Sequence, residues 1–418
     1  MFRRGLCRYL LLIASVAAAL AIAGCSKSRH EKEITLQIYS RLWTPLREQA
    51  FIRETILPGF TKISGLKAEL SLYTDNDLTA IAMADKLEGV DLVIPYGKDL
   101  PLWLEETELI DLKPVREKWD DRTFILSLDP WDSDAFSNYF LPIGADAYLT
   151  VVSNKALPYR PGEVGTPLSW AELSRWVEDA SAAEGRGLMA ATGIPMKSLI
   201  YLLSGTILSY GGDFPDLGSP AALEAMKLYH GMQAGFHAEI RDFDSVIEPL
   251  LAGDAWFAFA HCAHAGAILK EAPDDFLVLT APRGPAGRGS VGGISGMGIP
   301  AESNDPDHAL ELAEYLTRPS VQVAISRGIG GFIPTVNESR QLLGDSAVDR
   351  SINSGMELLL TGRIQGIPGD FPEWGNVKRV YEELFFEHIL SETAISPELL
   401  QSYQAKIESL RRTEASEG

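Results

Sequence analysis

Apolar residues run almost unbroken along the start of this chain and then settle into alternating and helical periods. From Tyr9 to Ala23 nearly every position is apolar, with Arg3, Arg4 and Arg8 ahead of it. The run is shorter than the ~20 residues a membrane-spanning helix needs. A basic start, an apolar middle and small residues at the end predict a cleavable leader over residues 1–24. After a polar stretch at 25–32, Ile34, Leu36 and Ile38 alternate with their neighbours and predict a first strand from Glu33 to Ser40. A helical stretch follows over 45–60, then a strand at 68–73, a helix at 77–87 and a buried-type strand at 91–95. Strands that alternate with helices predict an α/β fold with a parallel or mixed sheet.

Several boundaries carry their own chemistry. Ser169 with Glu172 reads as a capping box opening a helix over 170–183. Asp305-Pro306 reads as an N-cap and first-turn proline ahead of a helix over 307–317. Tyr210-Gly211-Gly212-Asp213 reads as a turn after a helix that begins near Ser198. Gly284, Gly287 and Gly289, with Pro282 and Pro285, predict an exposed loop between strands at 276–281 and 291–299. No Gly-Lys-Ser/Thr follows any of these glycines, so they do not make a phosphate-binding loop.

Charge and cysteine content narrow the picture. The chain of 418 residues carries a net charge of -20, and loss of the three leader arginines takes it to -23. That balance disfavours nucleic acid and anionic membrane surfaces as partners. The charges are dispersed, so their reading is solubility. Of three cysteines, Cys7 leaves with the leader and Cys25 stands at its cut site, which leaves Cys262 alone. No internal disulfide is then expected in the mature chain, and stability must come from an apolar core.

The cut site Ile22-Ala23-Gly24-Cys25 resembles the bacterial lipobox, which implies lipidation of Cys25 and an anchored mature protein. The order of later segments resembles the family-1 extracellular solute-binding proteins, the sugar-type receptors of ABC importers. Leu141-Pro142-Ile143-Gly144-Ala145-Asp146-Ala147-Tyr148, running on to Ser153-Asn154-Lys155-Ala156-Leu157, is similar to that family's crossing segment. Pro167-Leu168-Ser169-Trp170-Ala171-Glu172-Leu173 and the stretch from Gly292 to Thr335 continue the match. The resemblance implies a two-lobed periplasmic-binding-protein-like fold (type II) whose lobes close on ligand by hinge motion. Its lobe 1 would comprise 33–145 with 293–335. Lobe 2 would comprise 146–292 with 336–410, behind a tether at 25–32 and ahead of a polar tail at 411–418. A small-molecule solute, most simply a sugar, would be passed to permease subunits driven by a cytoplasmic ATPase. The receptor would be a monomer on the cell envelope, facing the periplasm or the cell exterior, with no cofactor. A sensing lipoprotein without transport, or a receptor for a non-sugar solute, is the alternative. An enzyme is not expected, since neither a nucleophile elbow nor a zinc-binding His-Glu-x-x-His occurs.

A sugar needs apolar faces for its C–H patches and placed polar groups for its hydroxyls. Asp146, on the crossing segment, is the first candidate; a hinge residue capping a turn is its alternative. Tyr148 could share that strand face or pack in a core. Trp43 follows the first strand and Tyr96 the third, the ends that face ligand in α/β sheets. Asp75 follows the second strand, where a helix N-cap competes with ligand contact. Trp374 resembles the family's stacking aromatic on its late helix. Gly293 belongs to the Gly-Gly turn. The family's usual Gly-Pro-Trp is replaced here by His261-Cys262-Ala263-His264, so Trp256 or a histidine would compensate. A zinc reading of that element competes with a buried strand that places His261 in the cleft by hydrogen bonding; the strand reading is preferred, with no metal.

Overall fold

The computed structural model describes residues 34–74, 87–126, 134–163 and 166–411. The expected leader, Cys25 and its tether, Asp75 and the helix at 77–87 (apart from Leu87) lie outside the described residues. Strands β1 (Thr35–Ser40), β2 (Lys67–Leu72) and β3 (Leu92–Ile94) form a parallel sheet in the order β2-β1-β3. Every second side chain of β1 is buried, as its alternation predicts, while all three of β3 are buried. Between β1 and β2 the helical stretch runs to Ser64 and contains a wide turn at Ile52–Ile56. Pro58 lacks the N–H that would bond one turn back, so the preceding turn opens. Gly65 ends the helix in the left-handed conformation at φ 77°.

The chain then threads through two sheets. Strand β4 (Leu141–Asp146) leads through Ala147 into β5 (Tyr148–Ser153). In the second sheet β5 lies between β7 (Phe257–His261) and β8 (Phe276–Leu279), with β6 (Met189–Ala190) on the far side of β7. A hairpin of β9 (Arg283–Gly284) and β10 (Gly287–Val291) follows. The exposed loop expected at 282–289 is therefore a paired ribbon, because Gly287 at φ 115° permits a tight reversal. From β10 the chain passes Gly292 into β11 (Gly293–Met297), which pairs antiparallel with β4. A bridge from Val93 to Gly298 joins that pair to the first sheet. Strand β12 (Gly362–Gln365) lies parallel to β10. At Asp146–Tyr148 and at Val291–Gly293 the chain thus passes from one sheet to another, the two crossing segments.

Two apolar cores match the two lobes. One gathers Leu36, Ile38, Leu92, Ile94, Ile143 and Leu312. The larger is built on Val151, Trp170, Trp176, Phe257 and Tyr381, and it extends past the crossings to Trp103. Burying each of these large side chains contributes about 1.5–3 kcal/mol. The helix Trp170–Glu184 opens with the full capping box: Ser169 accepts from the Glu172 N–H while Glu172 accepts from the Ser169 N–H. The second capping expectation differs. The Asp305 side chain makes no cap hydrogen bond, and Pro306 opens the helix Pro306–Leu316 by its fixed φ. Among the described residues no helix is long and apolar enough to cross a membrane.

Candidate functional site

A cavity of about 300 Å³ lies between the lobes, floored by the two crossing segments. Tyr96, Asp146, Tyr148, His261 and Gly293 all line it. Strand ends put them there: Tyr96 stands just past β3, Asp146 ends β4, Tyr148 opens β5, His261 ends β7 and Gly293 opens β11.

Asp146 is the polar centre. The Tyr96 phenol donates a hydrogen bond to Asp146 Oδ2. His261 Nε2 lies 3.9 Å from the same oxygen. Burial, and after it the Asp146 carboxylate, push the Tyr96 phenol well above its ordinary pKa, so it keeps its proton. Burial likewise raises Tyr148, assisted by Tyr201 and Asp146. The ring of Tyr148 lies 5.3 Å from that of Tyr201 and meets His261 edge-on at 5.5 Å. Behind Tyr201, the Trp374 indole N–H donates to the phenol oxygen at 3.1 Å.

His261 serves two elements. Strand β7 ends there and the helix Cys262–Glu271 begins, so His261 to His264 is not the continuous strand expected. The ring accepts the Ala263 N–H at Nδ1, 3.2 Å away, and caps the helix. Burial lowers the pKa of this imidazole, but the Cys262 sulfur and the Asp146 carboxylate outweigh it and raise it well above the usual value. With Nδ1 accepting the Ala263 N–H, the neutral ring carries its proton on Nε2, on the side of Asp146; a second proton on Nδ1, which the raised pKa favours, would cost the helix its cap. The Cys262 thiol donates to the Gly331 carbonyl at 2.8 Å. Among the described residues no group of three or more His, Cys, Asp or Glu side chains is placed to hold a metal.

Three expected residues stand elsewhere. Trp43, at a positive φ of 63°, is 3% exposed, packs near Phe332 in the first core and does not line the cavity. Trp256 lies one residue before β7 and stacks on Tyr159 in the core of the second lobe. Trp374 stands behind Tyr201, wedged between Phe214 and Phe371. Three features of the wall were not anticipated: Tyr201, Lys98 and the segment Gln365–Gly369. The last carried a visible signal, Gly366-Ile367-Pro368-Gly369 between a strand and a helix. Tyr201 carried none, since the helix Leu199–Ser209 is apolar on nearly every side.

The wall therefore offers three phenols, a carboxylate, an imidazole, an amine and glycine backbone. Groups of these kinds can hydrogen-bond and make ring contact with a small polar molecule. Comparison with known proteins agrees with that architecture. A family model described as bacterial extracellular solute-binding protein matches residues 65–351. A spermidine/putrescine-binding periplasmic protein of Salmonella typhimurium is 22% identical over 382 residues, 90% of this chain and 96% of that protein. Among solved structures, maltose-bound MalE3 of T. maritima superposes with a TM-score of 0.66 at 16% identity, covering 90% of this chain and 100% of that one. UgpB of Mycobacterium tuberculosis, in complex with glycerophosphocholine, gives 0.65 at 17% identity, covering 90% and 98%. These structural likenesses show the two-lobed fold.

Proposed function

This chain belongs to the bacterial extracellular solute-binding proteins, the receptors that deliver small molecules to ABC importers, and from that premise we propose that its ligand is an uncharged carbohydrate or polyol. The same reading has the chain held to its membrane by lipid on Cys25, as the lipobox-like Ile22-Ala23-Gly24-Cys25 suggests. The observation that carries the ligand class is the balance of charge around Asp146. Among the described lining residues Asp146 is the carboxylate; His261 stands 3.9 Å from it, and Lys98, beside Asp99, brings a positive charge to the same cavity. A polyamine brings two or more positive charges, and one carboxylate already engaged by Tyr96 cannot pair them. The tyrosine-rich wall suits the C–H faces of a sugar.

A thermal-unfolding screen tests this with maltose, ribitol, D-tagatose, glycerophosphocholine, spermidine and putrescine. A solute at 100 times its dissociation constant adds about 2.7 kcal/mol to stability. Stabilisation by a sugar or polyol is expected. Stabilisation by spermidine or putrescine alone would replace this reading with the polyamine one, which the Salmonella relative's name favours.

A further inference from the structure

Two phenols face the cleft from opposite lobes, and their protons are already committed in opposite senses. Tyr96, from the first lobe, spends its proton on Asp146 Oδ2, so towards the cavity it presents lone pairs. Tyr201, from the second lobe, receives the Trp374 indole N–H at 3.1 Å. Indole nitrogen is a donor only, so the Tyr201 oxygen is the acceptor there and its own proton is left to point elsewhere. Among the described residues no acceptor for that proton is found, and the side chain lines the cavity. Lys378 Nζ sits 5.4 Å from the centre of the Tyr201 ring, on the side chain's flank. The cleft is thus polarised: an acceptor on one lobe, a donor on the other.

We propose that a ligand hydroxyl stitches the lobes together by accepting from Tyr201 and donating to Tyr96, and that Trp374 is the positioning residue that sets this polarity without touching ligand. An alcohol is a donor and an acceptor in one group. An ammonium cannot accept from Tyr201. A carboxylate cannot donate to Tyr96. The pair therefore favours a hydroxyl over an amine or a carboxylate at the one solute position it meets. This rests on the interlobe cavity being the solute site.

The test uses one six-carbon set, sorbitol, glucamine and gluconate, titrated into the unlipidated mature chain by calorimetry. Sorbitol should bind at least tenfold tighter than either charged analogue, roughly the scale of one buried polar group left unpaired. In Trp374→Phe the Tyr201 hydroxyl is free to turn, so the sorbitol-to-glucamine ratio should fall towards one. Tyr201→Phe should show the same collapse and covers the case in which Trp374→Phe fails to fold. Equal binding of the three by the wild-type chain overturns the proposal, as does a ratio unmoved in both variants. If none of the three binds while a solute of the wider screen does, the proposal falls and the receptor reading stands. If neither set binds, both fall.

Discussion

Adjacent glycines at the second crossing should respond to substitution in opposite ways. A Cβ added at Gly293 meets no protein atom within 4 Å, and the residue lines the cavity, so a side chain there grows into the cleft. Gly293 opens a strand, where a β-branched residue is welcome, and the change also lowers the entropy of the unfolded chain, worth about 0.4–1 kcal/mol. Gly293→Val should therefore leave the melting temperature unchanged or slightly raised. Its three added carbons displace the space of two to three waters at ~30 Å³ each. Against a cavity of about 300 Å³ that is roughly a quarter of the room. Forcing a ligand into such a site costs about 1–3 kcal/mol, a weakening of about 5- to 150-fold. One residue earlier the logic reverses. A methyl at Gly292 would overlap the Asp146 carbonyl oxygen, which is backbone and cannot swing aside. Gly292→Ala should lose about 1–3 kcal/mol of stability by strain. Thermal unfolding and calorimetry with whichever solute stabilises the wild-type chain give both numbers. Wild-type affinity in Gly293→Val, or wild-type stability in Gly292→Ala, would refute the reasoning.

Three further outcomes follow from the same contacts. Asp146→Asn keeps the shape but removes the charge that strengthens a ligand hydrogen bond, so affinity should fall by about 1.5–3 kcal/mol in calorimetry. Trp256→Ala should cost about 3–5 kcal/mol in chemical denaturation and leave the dissociation constant of the folded fraction unchanged, because Trp256 fills a core. Asp349, 5% exposed, accepts from Arg327 at 2.6 Å, and that guanidinium chiefly holds its pKa below the ordinary carboxylate value. Its stabilising contribution is fully present above that ordinary value, ~3.9, and disappears as pH falls through the lower folded value. The gap in melting temperature between wild type and Asp349→Asn should thus be clear at pH 7 and shrink steadily as the pH is lowered below the ordinary carboxylate range.

How much of this was legible in the sequence depends on what fixes each residue's direction. Alternation in Ile34–Ile38 and the apolar run at 91–95 decide strands, because period two and full burial leave few other solutions. The flanking pattern put Asp146 and Tyr148 on one segment, and both line the cavity where β4 joins β5. The place of Trp43 was not legible, since it stands at a positive φ and nothing in Leu42-Trp43-Thr44 announces that backbone. Trp256, named as a stand-in for the missing family tryptophan, lies one residue before β7 and packs on Tyr159, a placement composition alone does not reveal. Tyr201 is harder still. Ten of the eleven residues of the helix Leu199–Ser209 are buried, so hydrophobic pattern alone cannot say which side meets the cleft.

The position of Asp146 ties recognition to motion. It ends β4 and pairs with Gly293, while one residue on the chain enters the other lobe. The crossings are pinned to each other there: the Tyr148 N–H donates to Ser290 Oγ at 2.8 Å, and the Gly292 N–H to the Gln365 carbonyl at 3.1 Å. A group at a hinge moves least when lobes rotate, so Asp146 offers ligand nearly the same contact whether the cleft is open or closed. Such a contact adds affinity for both states equally and shifts neither. Closure must then be driven by side chains that approach only as the lobes meet. Tyr96 and Tyr201 qualify, because they ride on different lobes, and a solute that bridges them binds the closed form selectively. On the proposed reading, Asp146 would set whether a solute is held, and the phenol pair whether holding it closes the receptor.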